Sequence, residues 1–137
     1  MKKRINIILV IVWMILIFIM SSFNSTESSN QSGFIVEIIS NILNIDNVDL
    51  LSLIIRKSAH FTEYFILGLL VQNMIDNYNK KTFLSIIICI LYAISDEIHQ
   101  YFVPGRSCQI MDMTIDTLGS LLGIYLLLSI KKIDYKK

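Results

Sequence analysis

A chain of 137 residues has the length of one domain, and 54% hydrophobic content with a mean hydropathy of +0.62 is too apolar for an ordinary soluble domain of that size. A net charge of +1, with no basic run interleaved with aromatics, argues against nucleic acid as a partner. Cys89 sits inside an apolar run and Cys108 in a polar connection, settings too unlike for a structural disulfide or a metal-binding cysteine pair.

Met1, Lys2, Lys3 and Arg4 precede an uncharged apolar stretch with the basic flank of either a signal peptide or a first transmembrane helix. The length of the stretch, Trp13 within it and the lack of a small-x-small cleavage site favour a first span over about residues 5–22. Residues 21–33, rich in Ser and Asn, read as a solvated connection. Ile35, Ile38, Ile39, Ile42 and Ile45 then recur at helical spacing among polar residues, which predicts a short amphipathic helix on the membrane surface over about residues 34–45.

Asp46, Asn47 and Asp49 supply N-cap candidates for a second span over about residues 52–75. A polar turn leads to a third span over about residues 82–101, apolar through Ile94 and ending in Ser95-Asp96-Glu97-Ile98-His99-Gln100. Pro104-Gly105 marks a tight connection before a fourth span over about residues 110–130. The last two spans have apolar cores of about a dozen residues, and their polar ends extend each to about 20, enough at 1.5 Å per residue to cross a ~30 Å hydrocarbon core.

Charge placement orients the chain, because basic residues concentrate in cytoplasmic loops. Lys2, Lys3, Arg4, Lys80, Lys81, Lys131, Lys132, Lys136 and Lys137 all fall inside if four spans leave both termini cytoplasmic. Asp76 and Asp134 join them, while Glu27, Glu37, Asp46, Asp49, Glu63, Asp96, Glu97, Asp112 and Asp116 fall outside with Arg56, Lys57 and Arg106. The inner side then carries +7 and the outer side −6. The polar ends of the second, third and fourth spans meet at one outer level.

Helical spacing turns these ends toward each other. Arg56, His60 and Glu63 follow i, i+4, i+7, with Tyr64 beside them and Gly68 a turn deeper. Asp96 faces the same way as His99 and Gln100, while Glu97 is rotated by about 100°. Asp112, Asp116, Gly119 and Gly123 form an acidic stripe continuing into a Gly-xxx-Gly surface that admits a neighbouring helix closely.

Two readings of this cluster are open. Interhelical ion pairs that lock the bundle are the plainer one. Against it, each ionisable group within a span costs on the order of 2.5–3.5 kcal/mol, and such groups usually mark function. General acid and base chemistry has candidates in Glu63, Asp96 and His99, with Arg56 or Arg106 holding an anion. His60 with Glu63, and Asp96 with His99, are i, i+3 pairs of low specificity that leave a divalent metal open as a cofactor. No Ser-centred nucleophile elbow and no phosphate-cradling glycine loop is present. Trp13 and Tyr101 read as membrane anchors.

Trp13-Met14 with Ile17-Phe18 and Ser21-Ser22, the run from Arg56-Lys57-Ser58-Ala59-His60 through Phe61-Thr62-Glu63-Tyr64, the Ser95 to Gln100 segment, Val103-Pro104-Gly105-Arg106-Ser107, and Asp112 with Asp116-Thr117-Leu118-Gly119 together resemble the VanZ-like family of small bacterial membrane proteins. That family is named after a factor associated with resistance to the glycopeptide teicoplanin. The resemblance covers nearly the whole chain as one domain, residues 1–137, and marks Lys57, His60, Glu63, Asp96, Glu97, Gln100, Arg106, Asp112 and Asp116 as its polar positions. Asp116 stands where the family's pattern has Asn in many relatives and Asp in others.

The expectation is therefore an all-α, multi-pass cell-membrane protein, with four transmembrane helices, cytoplasmic termini and a polar site on the extracytoplasmic side. Glu63, Asp96 and His99 are its candidate acid and base groups. Arg56, Lys57, His60, Glu97, Gln100, Arg106, Asp112 and Asp116 are candidates to bind a lipid-linked cell-wall precursor or a glycopeptide antibiotic, with membrane lipids as the surrounding partners. A non-enzymatic helper whose cluster is structural, and a small proton-coupled transporter, are the alternatives. Whether the protein is an enzyme stays open at this point.

Overall fold

The computed structural model describes residues 2–45, 47–75 and 81–134. Among them the fold is all-α, with five helices: α1 (Lys2–Ser21), α2 (Ser25–Leu43), α3 (Val48–Ile75), α4 (Lys81–Tyr101) and α5 (Ile110–Asp134). Arg4–Ser21, Thr82–Tyr101 and Ile110–Lys132 are long and apolar enough to cross a membrane. The α3 helix is longer than any of them but carries Asp49, Arg56, Lys57 and Glu63.

Several helix ends are set by local bonds. Asn47 caps α3, its Oδ1 accepting the Leu50 amide at 3.0 Å. Asp49 lies in the first turn, and Asp46 is outside the described residues. The connection after α4 closes through Phe102 N to His99 O, Val103 N to Gln100 O and Arg106 N to Val103 O. It turns at Gly105, whose φ of 75° is a left-handed conformation that disfavours a side chain.

The segment expected as a solvated connection is mostly helix. The α2 helix begins at Ser25, not near residue 34, because Asn24 and Glu27 form a capping box. Asn24 Oδ1 accepts the Glu27 amide at 2.9 Å, and Glu27 Oε2 accepts the Asn24 amide at 3.1 Å. The helix stops at Asn44, in the left-handed region at φ 48°. Apolar periodicity misses the first two turns because they hold no large apolar residue. The Asn-x-x-Glu spacing was the available signal.

The α3 helix is the hub, packing against each of the other four. Its tightest partner is α5. A Cβ on Gly123 would collide with the Phe65 carbonyl, one on Gly119 would sit 2.5 Å from the Phe61 carbonyl, and one on Gly68 would collide with the Ser120 backbone. Three glycines on two helices therefore let the backbones touch, as small residues do in membrane bundles. Beneath this contact Tyr64, Leu67, Val71, Cys89, Ala93 and Ile124 form the core with Val10 and Ile17 of α1.

Polar bonds reaching into neighbouring helices tie α1 to the bundle. Trp13 Nε1 donates to the Glu63 carbonyl at 2.9 Å, Tyr92 Oη donates to the Met14 carbonyl at 2.5 Å, and Asn6 Nδ2 donates to the Asn73 carbonyl at 3.4 Å. Trp13 thus does more than anchor at an interface: its indole is turned inward onto α3. Tyr101 is exposed, edge-on to Phe102. Both cysteines are free, Cys89 buried and Cys108 exposed.

Outward, α1 exposes Ile5, Ile8, Ile11, Val12, Ile15, Phe18 and Ile19, and α5 exposes Leu118, Leu122, Tyr125 and Leu126. Apolar surface on this scale is what a bilayer-facing helix presents and what a soluble monomer avoids.

Candidate functional site

The inward stripe of α4 runs Ser85, Cys89, Ala93, Asp96 and Gln100, all buried. Its spacing of four, four, three and four residues keeps one face toward the bundle. Small residues fill the middle of that face and polar ones its end. On α1 the stripe Val10, Met14, Ile17 continues at the same spacing to Ser21, which is 0% exposed. The two ends meet: Ser21 Oγ donates to Asp96 Oδ1 at 2.5 Å, and Gln100 Nε2 donates to Asp96 Oδ2 at 3.1 Å and to Ser21 Oγ at 3.2 Å. One carboxylate is therefore satisfied on both oxygens.

Sequence reasoning missed Ser21 as a member of the cluster. A serine at the end of an apolar run reads as the exit into water. Its place on the Val10, Met14, Ile17 stripe was the signal that it faces inward.

Glu97 is also buried, at 1% exposure, although helical geometry rotates it away from Asp96. Its face meets the connection between α4 and α5, where Oε2 accepts the Gln109 amide at 2.8 Å. The Gln109 carbonyl in turn accepts the Asp112 and Met113 amides at the start of α5. Glu97 thereby pins the connection that carries Arg106.

The remaining candidates fall on α3 and α5. Lys57 Nζ pairs with Asp112 Oδ1 across the two helices. His60 Nδ1 lies 3.5 Å from Glu63 Oε2, an ion-pair distance without a hydrogen bond, and Asp116 and Asp96 lie within electrostatic reach of the same imidazole. Asp116 is 1% exposed. His99 faces α1, as Asp96, Gln100 and Tyr92 do. Its ring stacks on Phe18 with centroids 4.2 Å apart, and Nε2 is 3.1 Å from Ser22 Oγ. The metal candidates His60, Glu63, Asp96 and His99 do not form a ligand set: among the described residues no three His, Cys, Asp or Glu side chains are placed to hold an ion.

Several buried polar atoms at this level have no hydrogen-bond partner among the described residues: His60 Nδ1, Glu63 Oε2, Tyr64 Oη, Glu97 Oε1 and Asp116 Oδ1. Each such group costs on the order of 1–3 kcal/mol when desolvated and unpaired. Asp96 is bonded on both oxygens, whereas the His60 and Glu63 side chains have only their mutual ion-pair contact.

Above the buried groups, Arg56, Lys57, His60, Gln100, Arg106 and Asp112 line a polar pocket of about 140 Å³. Lys57 and Asp112 neutralise each other. Neither Arg56 nor Arg106 makes an ion pair among the described residues. Burial, with the Arg56 charge beside it, pushes the Arg106 guanidinium down from its ordinary value. The pocket thus presents two cations with no ion-pair partner among the described residues, with Asp96, Glu97 and Glu63 within electrostatic reach of Arg106.

An all-α bundle with apolar outer faces and a buried polar cluster at the end of its helices is the architecture of a polytopic membrane protein. The chain belongs to the VanZ/LLP1 family, whose sequence pattern it matches over residues 6–131. No curated protein matches it, and no solved structure does.

Proposed function

We propose that this protein is a cell-envelope membrane protein whose outer-face pocket binds, and acts on, a lipid-linked or cell-wall component or a glycopeptide antibiotic that targets one. In this reading α1, α3, α4 and α5 cross the membrane, both termini are cytoplasmic, and α2 lies along the outer surface. The observation that carries it is the pair Arg56 and Arg106, lining one pocket with no carboxylate among the described residues ion-paired to either. Such a pair is suited to a ligand phosphate or carboxylate. Beneath it, Glu63, Glu97 and Asp116 each have a carboxylate oxygen with no hydrogen-bond partner among the described residues, available as proton donor or acceptor once a ligand approaches.

A non-enzymatic helper is the second reading, and Asp96 favours it. Both its oxygens are bonded within the bundle, which suits a helix lock better than a reacting acid. Alanine substitution of His60, Glu63, Asp96 and Arg106, with membrane insertion verified for each, tests the proposal. Loss of an envelope or antibiotic phenotype supports it, and four inserted variants with wild-type behaviour overturn it. Glu63→Gln separates the two readings. A variant that loses the phenotype while gaining thermal stability marks a strained functional acid, and one that only loses stability marks a structural acid.

A further inference from the structure

The polar pocket does not end at its own walls. Arg56, His60 and Arg106 also line a second cavity, of about 190 Å³, whose other walls include Met20 of α1, Ile35 of α2, and Ile55 and Ala59 of α3. Met20, Ile55, Ala59 and Glu63 in turn belong to a shallow groove between α1 and α3, which adds Trp13, Leu16 and Ile66. A continuous track therefore runs from two arginines at the polar end, beneath α2, down an apolar furrow along the bilayer-facing side of the bundle. Its lining changes from cationic to hydrocarbon along its length.

We propose that this track is one binding site for an anionic lipid, with a phosphate headgroup between Arg56 and Arg106 and one hydrocarbon chain lying in the α1–α3 furrow. The inference rests on the reading of the pocket as a ligand site and narrows its ligand class. Charge decides the headgroup, since two guanidiniums lining one pocket with no ion-paired carboxylate among the described residues attract a phosphate and repel a choline or amine. Continuity decides the tail. A water-soluble phosphate would use the polar pocket and leave the furrow unfilled, whereas a lipid fills both. The Trp13 indole, held by the Glu63 carbonyl, forms a rigid wall of the furrow, so the track does not depend on a mobile side chain. His60 and Glu63 sit where the two halves join, beside the position of a headgroup's ester linkage.

Native mass spectrometry of the full chain in detergent tests this with three probes: dioleoyl phosphatidic acid, glycerol 3-phosphate and dioleoyl phosphatidylcholine. One phosphatidic acid retained per chain, with neither of the others competing, is the expected result. Arg106→Gln and Arg56→Gln should each weaken retention about tenfold or more, the loss of one charge-assisted contact. Ala59→Trp should weaken it by filling the furrow, and Leu122→Trp, on the exposed face of α5, should not. Ala59→Leu is the milder filler should the tryptophan impair folding, which a melting curve reports.

Equal retention of phosphatidylcholine, full competition by glycerol 3-phosphate, or wild-type retention by both arginine variants overturns the proposal. The cellular phenotype separates this failure from that of the broader reading. Arginine variants that hold phosphatidic acid normally but lose the phenotype sink the lipid assignment alone. Variants that release the lipid while the His60, Glu63, Asp96 and Arg106 alanine variants all behave as wild type sink the function and leave the lipid site standing.

Discussion

Ser21 and Asp96, 75 positions apart in the chain, share a 2.5 Å hydrogen bond inside the bundle, and neither side chain is more than 3% exposed. The bond joins the end of α1 to the polar end of α4. It makes the first helix part of the polar cluster, not a separate anchor beside it.

Ser21→Ala removes the shorter of the two side-chain donors to this carboxylate. Hydrogen bonds to charged groups contribute about 1.5–3 kcal/mol, so the variant should unfold in detergent with a loss of roughly that size. Ser21→Thr keeps the hydroxyl and should recover much of the difference. Equal stabilities for the alanine and wild-type proteins would show the contact to be energetically idle.

The glycine contact between α3 and α5 gives a sharper contrast. Gly123→Ala puts a methyl group into the Phe65 carbonyl and forces the helices apart, a packing insult of about 1–3 kcal/mol. Gly33, in α2, has open space where a methyl group would sit, with nothing within 4 Å, and Gly33→Ala should stabilise by about 0.5–1 kcal/mol through helix propensity. Opposite signs from one chemical change, read by thermal melts, are the expected outcome.

Lys57 and Asp112 face each other across the same two helices with side chains 21% and 24% exposed. A double-mutant cycle with Lys57→Met and Asp112→Asn should give a coupling of about 1 kcal/mol, above the usual surface pair because both groups are partly desolvated. Coupling near zero would return the pair to the status of a surface contact.

Trp13→Phe keeps the ring in the α1–α3 furrow and deletes its donor to the Glu63 carbonyl. That carbonyl also serves its own helix, so nothing is orphaned, and the loss should be about 0.5–1.5 kcal/mol.

Sidedness is open to a direct measurement. Cys108 is exposed in the connection after α4 and Cys89 is buried. A membrane-impermeant maleimide added to intact cells should label the protein at Cys108, and Cys108→Ser should abolish the label. Labelling confined to broken cells would invert the proposed topology.

Much of this was legible in the residues. The acidic stripe on α5 and its Gly119 and Gly123 surface followed from spacing alone, because a helix that must admit another backbone has few residue types to choose from. The beginning of α2 did not, since periodicity detects apolar faces and residues 25–32 have none. The spacing of His99 also held: three residues from Asp96, it turns toward α1 with Asp96 and Gln100, and meets Phe18 and Ser22 there. Glu97 became central through its bond to Gln109, a residue whose position depends on the turn at Gly105.

The α3 helix lies at the centre of the bundle, and it is also the long helix with the most charge near its middle. His60 and Glu63 carry each other on α3, but left alone in lipid Lys57 would be without Asp112, the partner that α5 brings. That partner is synthesised later. In the proposed four-span topology, order of synthesis then matters, because α3 reaches the membrane before α5 is made to neutralise Lys57. A chain truncated before residue 110 should accordingly be cleared by membrane proteases while the full-length protein persists.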